Sequence, residues 1–188
     1  DDFCFGKARK GDFAMLQAAG QQTGFTVEAM HTLVHEGERV SSSAVRAALL
    51  EGDMPHAARL LGRPYSISGR VMHGDKIGRT IGFPTANIQL KHRSPPLMGI
   101  YTVSVDGLAD KPWPGVASVG VRPTINDAGR PTLEVHLFDW NADCYDAHLR
   151  VNFLVKQRDA DRYDNLADLT AQIARDADQA RAYFAQNP

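Results

Sequence analysis

The spacing of apolar side chains changes character along this chain. Between Gly11 and Gln22, Phe13, Leu16 and Ala19 recur at three-residue steps, which predicts a helix. Residues 25–30 (Phe-Thr-Val-Glu-Ala-Met) read as a short strand, and Thr32-Leu33-Val34 offers another. Ser41-Ser42-Ser43 opens a helix that carries Val45, Ala48 and Leu49 on one face, with serine as its N-cap. Gly52-Asp53-Met54-Pro55 breaks the pattern, and His56 to Leu61 forms a second short helix. From Pro64 onward, apolar residues sit in short runs separated by Gly, Pro and Asp, which predicts strands near 65–73, 99–106, 113–121, 132–140 and 148–156. Asp127-Ala128-Gly129-Arg130 suits a hairpin turn. Leu166, Leu169, Ile173, Ala177, Ala180 and Phe184 then step by threes and fours, so residues 165–185 close the chain as a helix capped by Asn165 and Asp168. The pattern describes a piece of an α/β domain over residues 1–62, then a β sandwich or barrel with a C-terminal helix over residues 63–188.

Composition narrows the functional classes. A hydrophobic fraction of 43% suits a globular protein. Residues 1–62 carry 6 basic and 8 acidic side chains and residues 63–188 carry 15 and 14, so neither part has the basic excess of a nucleic-acid binder. No apolar run reaches the length of a membrane span. Cys4 and Cys144 show no metal spacing and no disulfide framework, which fits a reducing cytoplasm. The first residues, Asp1-Asp2-Phe3, include no Met, which reads as a fragment.

The stretch with most chemistry runs from His73 to Asn87. Gly74, Gly78 and Gly82 lie four residues apart, and Lys76 and Arg79 add positive charge. Such a loop lets backbone N–H groups approach an anion closely, which suggests nucleotide phosphates. If Pro84-Thr85-Ala86-Asn87 is extended, Thr85 and Asn87 share a face and present a hydroxyl and an amide carbonyl, hard oxygens of the kind Mg²⁺ accepts beside phosphates. A glycine-rich loop alone is most often a turn, and this one lacks the Gly-Lys-Ser/Thr of a Walker loop. In Leu133-Glu134-Val135-His136-Leu137, the apolar residues share one strand face and Glu134 and His136 the other. Either could accept a proton, and spacing leaves both as candidates. The histidines form no His-Glu-x-x-His pattern, and no Gly-x-Ser-x-Gly elbow is present.

His73-Gly74-Asp75 followed by Gly82-Phe83-Pro84-Thr85-Ala86-Asn87 resembles the signature of riboflavin kinases. Gly99-Ile100-Tyr101, Gly120-Val121-Arg122-Pro123-Thr124, Leu133 to Asp139 and Arg158-Asp159 continue that likeness in order, over about residues 63–185. The resemblance implies a small closed antiparallel barrel of about six strands, Greek-key-like, that uses Mg-ATP to convert riboflavin to FMN. It implies Glu134 as catalytic base, and Arg158, Tyr163 and Thr124 on the flavin side. The family usually carries a Glu two or three residues after the Arg and a Phe at 163; here Ala160, Asp161 and Tyr163 stand there. Asp2-Phe3-Cys4-Phe5-Gly6 and Ser41 to Arg46 are similar to segments of bacterial FMN adenylyltransferase domains, with Ser43 for their Thr. That likeness puts Ser42, Ser43 and Arg46 near nucleotide phosphates, at a helix start that favours anions. The His-x-Gly-His of those domains does not occur, so residues 1–62 read as the second half of one, with FAD synthesis expected only of an intact parent chain. Two other functions compete: a flavin-binding module without turnover, and an oligonucleotide-binding barrel, against which the near-neutral charge speaks.

Overall fold

A computed structural model describes residues 3–74, 77–90, 94–121 and 131–187. The chain falls into two compact units, residues 1–39 and 40–188.

In the first unit, β1 (Cys4–Phe5) pairs antiparallel with β2 (Gly11–Asp12) around a single 3-10 turn at Lys7–Arg9. Helix α1 (Phe13–Thr23) follows, its N-terminus capped by Asp12, which accepts from the Met15 N–H at 2.8 Å, and its C-terminus turned by Gly24 at φ 84°. The strand expected at 25–30 does not form. The Phe25 N–H instead bonds the Gly20 carbonyl at 3.1 Å, closing the helix end. The second expected strand shortens and shifts to β3 (Val34–His35), paired with β4 (Glu38–Arg39). Residues of strand-like composition with no ladder to join stay irregular, because pairing and burial decide strand formation.

The second unit begins with α2 (Ser42–Glu51) and α3 (Met54–Leu61). Ser41 Oγ accepts from the Ala44 N–H, so Ser41 is the cap and Ser42 and Ser43 are the first helical residues. Asp53 caps α3 in the same way and Pro55 fits its first turn, which moves the helix start ahead of the expected His56. Val45, Leu49, Met54 and Leu60 belong to the same buried cluster as the barrel residues Val71, Tyr101 and Phe153. Composition places the boundary at 62/63, but compactness divides the chain at 39/40, because the apolar faces of α2 and α3 are buried in this cluster.

Next come β5 (Tyr65–Met72), a one-turn helix α4 (Ile77–Thr80), β6 (Ala86–Ile88), β7 (Gly99–Asp106), β8 (Trp113–Val121), β9 (Pro131–Leu137), β10 (His148–Arg158) and α5 (Leu166–Gln186). The six strands close into an antiparallel barrel in the order β10-β5-β6-β9-β8-β7. Closure leaves no free sheet edge. The expected hairpin turn at 127–130 lies outside the described residues. Alternate side chains fill the interior: Val103 and Val105 on β7, Leu133 and Val135 on β9, and Val151 and Phe153 on β10 are all at most 1% exposed. Each such burial is worth about 1.5–3 kcal/mol.

Two local features shape the site. Helix α5 packs across the outer face of β7 and β8, where Ala177 and Ala180 join Val116 and Phe138 in a second buried cluster. Leu166, in its first turn, is 55% exposed and takes no part in the stripe expected of it. Strand β10 slips register against β7 twice, between Phe153 and Val155 and between Lys156 and Arg158.

Candidate active site

Strand register lines up the outer face. Asn87 on β6 pairs with Glu134 on β9, Glu134 with Ser118 on β8, Ser118 with Ile100 on β7, and Ile100 with Arg158 on β10. One row of cross-strand neighbours therefore runs from Asn87 to Arg158. Thr85, just ahead of β6, donates its hydroxyl to Glu134 Oε2 at 3.3 Å. Ala86 and Ile88 are buried while Thr85 and Asn87 are half-buried, as alternation about an extended segment requires. The structure thus brings Thr85, Asn87 and Glu134 together.

The glycine loop lies against this group. A Cβ on Gly74 would run into the Asn87 side-chain amide, and one on Gly78 into the Phe83 carbonyl and within 3.4 Å of the Thr85 hydroxyl. Two of the three glycines thus have a packing reason to be glycine, and Gly82 has a conformational one at φ 85°. Arg79, in α4, is exposed. Lys76 and Thr124 lie outside the described residues. His136 Nδ1 lies 2.9 Å from the Pro84 carbonyl oxygen. A carbonyl only accepts, so Nδ1 donates, and the ring anchors the turn before Thr85.

Two cavities meet at Thr85. The first, of about 390 Å³, is lined by Thr85, Glu134, Ser118 and Arg158, by apolar side chains including Phe83, Ile100, Leu169 and Ile173, and by Tyr163. The second, of about 540 Å³, is lined by Thr85, Arg79 and Pro84 and by residues 140–145, among them Trp140 and Tyr145. Ser42, Ser43 and Arg46 line neither; Ser42 and Ser43 are exposed in the first turn of α2, and Arg46 is exposed on the same helix.

At the far end of the row, Arg158 lies 6.0 Å from the centre of the Tyr163 ring and forms a two-pronged ion pair with Asp176 of α5, through Nε at 2.9 Å and Nη2 at 2.6 Å. That hydrogen-bonded carboxylate raises the Arg158 pKa above its ordinary value. Asp161, standing where the family's Glu was expected, lines the same cavity. Sequence reasoning missed Ser118 and Asp176. Ser118 was readable as the outward residue between Ala117 and Val119. Asp176 was readable as an acid inside the α5 stripe, three residues after Ile173 and one before Ala177.

Thr85 and Asn87 offer hard oxygens beside a carboxylate, a donor set that fits Mg²⁺. Among the described residues no three His, Cys, Asp or Glu side chains gather as they would to hold a metal by themselves.

Comparison with known proteins agrees with the fold. The riboflavin kinase family profile matches residues 61–184, and that of FAD synthetase matches residues 1–44. The bifunctional riboflavin kinase/FMN adenylyltransferase of Escherichia coli (strain K12) is 50% identical over 185 residues, 98% of this chain and 58% of that protein. Its namesake in Pseudomonas fluorescens is 52% identical over 185 residues, 98% of this chain and 59% of that protein. The chain thus spans less than two thirds of the length of these relatives. A crystal structure described as a macrolide-efflux protein from Streptococcus pneumoniae superposes with a TM-score of 0.73 at 33% identity, covering 96% of this chain and 58% of that one. With the kinase profile spanning the barrel and α5, this chain belongs to the riboflavin kinase family.

Proposed function

We propose that the chain transfers the γ-phosphoryl group of ATP to the ribityl 5′-hydroxyl of riboflavin, giving FMN and ADP. The observation that carries this reading is the meeting of two cavities at Thr85, with Glu134 and Asn87 beside it. A two-substrate transfer needs two adjoining sites with donors where they touch.

In this reading riboflavin occupies the 390 Å³ cavity. From Glu134 to Arg158 is three strand spacings, roughly 14 Å, room for a ribityl chain and part of a ring system. The ribityl end lies at Glu134 and crosses Ser118, and the flavin ring rests on Ile100, Leu169 and Ile173 near Arg158 and Tyr163. ATP occupies the second cavity, its phosphates toward Arg79 and the loop of Gly74, Gly78 and Gly82; Lys76, which its place in the sequence makes a phosphate ligand in this reading, lies outside the described residues. Thr85 and Asn87 would hold Mg²⁺, which neutralises phosphate charge and aligns the γ-phosphoryl group. Glu134 orients the 5′-hydroxyl and takes its proton as the new O–P bond forms and the bond to the ADP oxygen breaks. His136, held by Pro84, keeps Thr85 in place.

Adenylylation of FMN to FAD, the second activity in the relatives' name, belongs to this proposal as an activity of the whole protein, supported by the match of residues 1–44 to FAD synthetase. Ser42, Ser43 and Arg46 would serve it. Among the described residues no helix is long and apolar enough to cross a membrane. ATP supply, and two cysteines, Cys4 and Cys144, that are not joined in a disulfide, support a cytoplasmic setting. The test is riboflavin-dependent consumption of Mg-ATP with FMN as product. Riboflavin binding without ATP turnover would make the chain a flavin-binding module instead.

A further inference from the structure

The ion pair at the flavin end of the cavity is built in a way that its family position alone does not explain. Asp176 is 4% exposed, and its carboxylate takes three hydrogen bonds: two from Arg158, and one from Gln172 Nε2 at 2.8 Å. Its backbone carbonyl takes a fourth, from Gln157 Nε2, which also reaches the Thr102 hydroxyl at 3.0 Å. Two adjacent β10 residues, Gln157 and Arg158, thus grip one residue of α5. Arg158 in turn gives an Nη1 hydrogen to the Asp159 carbonyl at 3.0 Å. Of the five N–H groups of a guanidinium, three are committed to partners among the described residues and two remain, one on each Nη.

Energetics argue that this grip does more than hold the helix. Burying a carboxylate is costly, and its pairing with arginine roughly offsets that cost without adding much stability. Among the described residues the network also leaves Gln157 Oε1 buried with no partner, a loss that a purely stabilising contact would avoid. Apolar packing of Ala177 and Ala180 already docks the helix. What the carboxylate does supply is a fixed plane and direction for the guanidinium on the cavity wall, in place of the many rotamers open to a free arginine.

We infer that Asp176 is a positioning residue for flavin recognition: it clamps Arg158 so that its two uncommitted N–H groups face the cavity and donate to the carbonyl edge of the flavin ring. This rests on the kinase reading above. Asp176 itself does not touch substrate; Gln172 steadies its carboxylate.

The experiment compares riboflavin dissociation constants, from flavin fluorescence, with the KM values for riboflavin and ATP. Asp176→Asn keeps the shape and removes the charge. It should weaken riboflavin binding about tenfold or more, the worth of a charge-assisted hydrogen-bond pair, and leave the KM for ATP within about twofold. In the Arg158→Lys background, which keeps the charge but loses the fork, Asp176→Asn should add no more than about twofold, because both changes act through one group. Gln172→Ala, at a less buried position, should weaken riboflavin binding about two- to fivefold by the same route, and it decides the matter if Asp176→Asn does not fold. Unchanged riboflavin affinity, an equal rise in the KM for ATP, or independent multiplying losses in the double variant would overturn the clamp. A wild-type chain that binds no riboflavin would overturn the kinase reading, and the clamp with it.

Discussion

The two ends of the cavity proposed for flavin are made by different means. At the Glu134 end, three functional side chains come from adjacent positions on neighbouring strands, β6 and β9, and from the residue just ahead of β6. Backbone pairing inside a closed barrel sets their distances, so the geometry is as stiff as the sheet. At the Arg158 end, the parts come from the end of β10, the following loop and the middle of α5, and a network of side-chain hydrogen bonds joins them. In the proposed reading, chemistry that needs sub-ångström placement falls on the register-built end, and recognition of a large planar ring, which tolerates adjustment, falls on the end assembled from side chains.

The largest test of this contrast is Glu134→Gln. Glutamine keeps the shape but cannot accept the hydroxyl proton, so turnover should fall about 10²–10⁴-fold, roughly 3–5 kcal/mol of barrier, with riboflavin affinity little changed. His136→Asn should cost far less; an inactive His136→Asn beside an active Glu134→Gln would reverse the assignment. Next is Arg158→Ala, which leaves the Asp176 carboxylate buried and unpaired. Stability should drop by about 3 kcal/mol in a denaturant titration, and adding Asp176→Asn should restore most of it. The Glu134 end has no such rescue, because its geometry is held by backbone.

A subtler change is Gly74→Ala. Its methyl would displace the Asn87 amide, and turnover should fall about 10- to 100-fold while riboflavin binding in the absence of ATP holds, the same profile as Asn87→Ala. Loss of fold would show the loop to be structural only. The smallest effect concerns the buried core beneath the Arg158 end. Tyr101 is fully buried, and burial together with the nearby Asp159 carboxylate pushes its phenol from 10.0 up to about 12. The neutral phenol therefore favours the folded state. Its contribution is intact below about pH 10 and disappears as pH rises toward 12. Tyr101→Phe should flatten this alkaline loss in a stability–pH profile, and an unchanged slope would assign it to other groups.

Legibility in the sequence follows the same division. The barrel strands announced themselves through alternation and turn residues, and alternation alone placed Glu134 away from the core. β6 is only three residues long, too short for any period, and was reached only by supposing its Pro-Thr-Ala-Asn extended. The pairing of Asp176 with Arg158 could not be read, since it depends on where a 21-residue helix crosses the outside of the barrel. The strand expected at 25–30 failed for the converse reason: composition favoured it, but no neighbour offered a ladder. The glycines were read as an anion cradle, and the packing of Gly74 on Asn87 and of Gly78 on Phe83 was invisible without the fold.

The double register slip in β10 has a consequence of parity. From Phe153 to Arg158 the strand takes five steps while its neighbour, from Val103 to Ile100, takes three. Both counts are odd, so a side chain that starts inside on both strands ends outside on both. One slip alone would point Arg158 into the packed interior; the second turns it back to the cavity wall. The length of this short segment thus encodes an address more strictly than its composition does. Swapping residues between 154 and 157 alters packing by degrees, whereas removing a single one would send the arginine to the wrong side of the sheet, and removing two would return it.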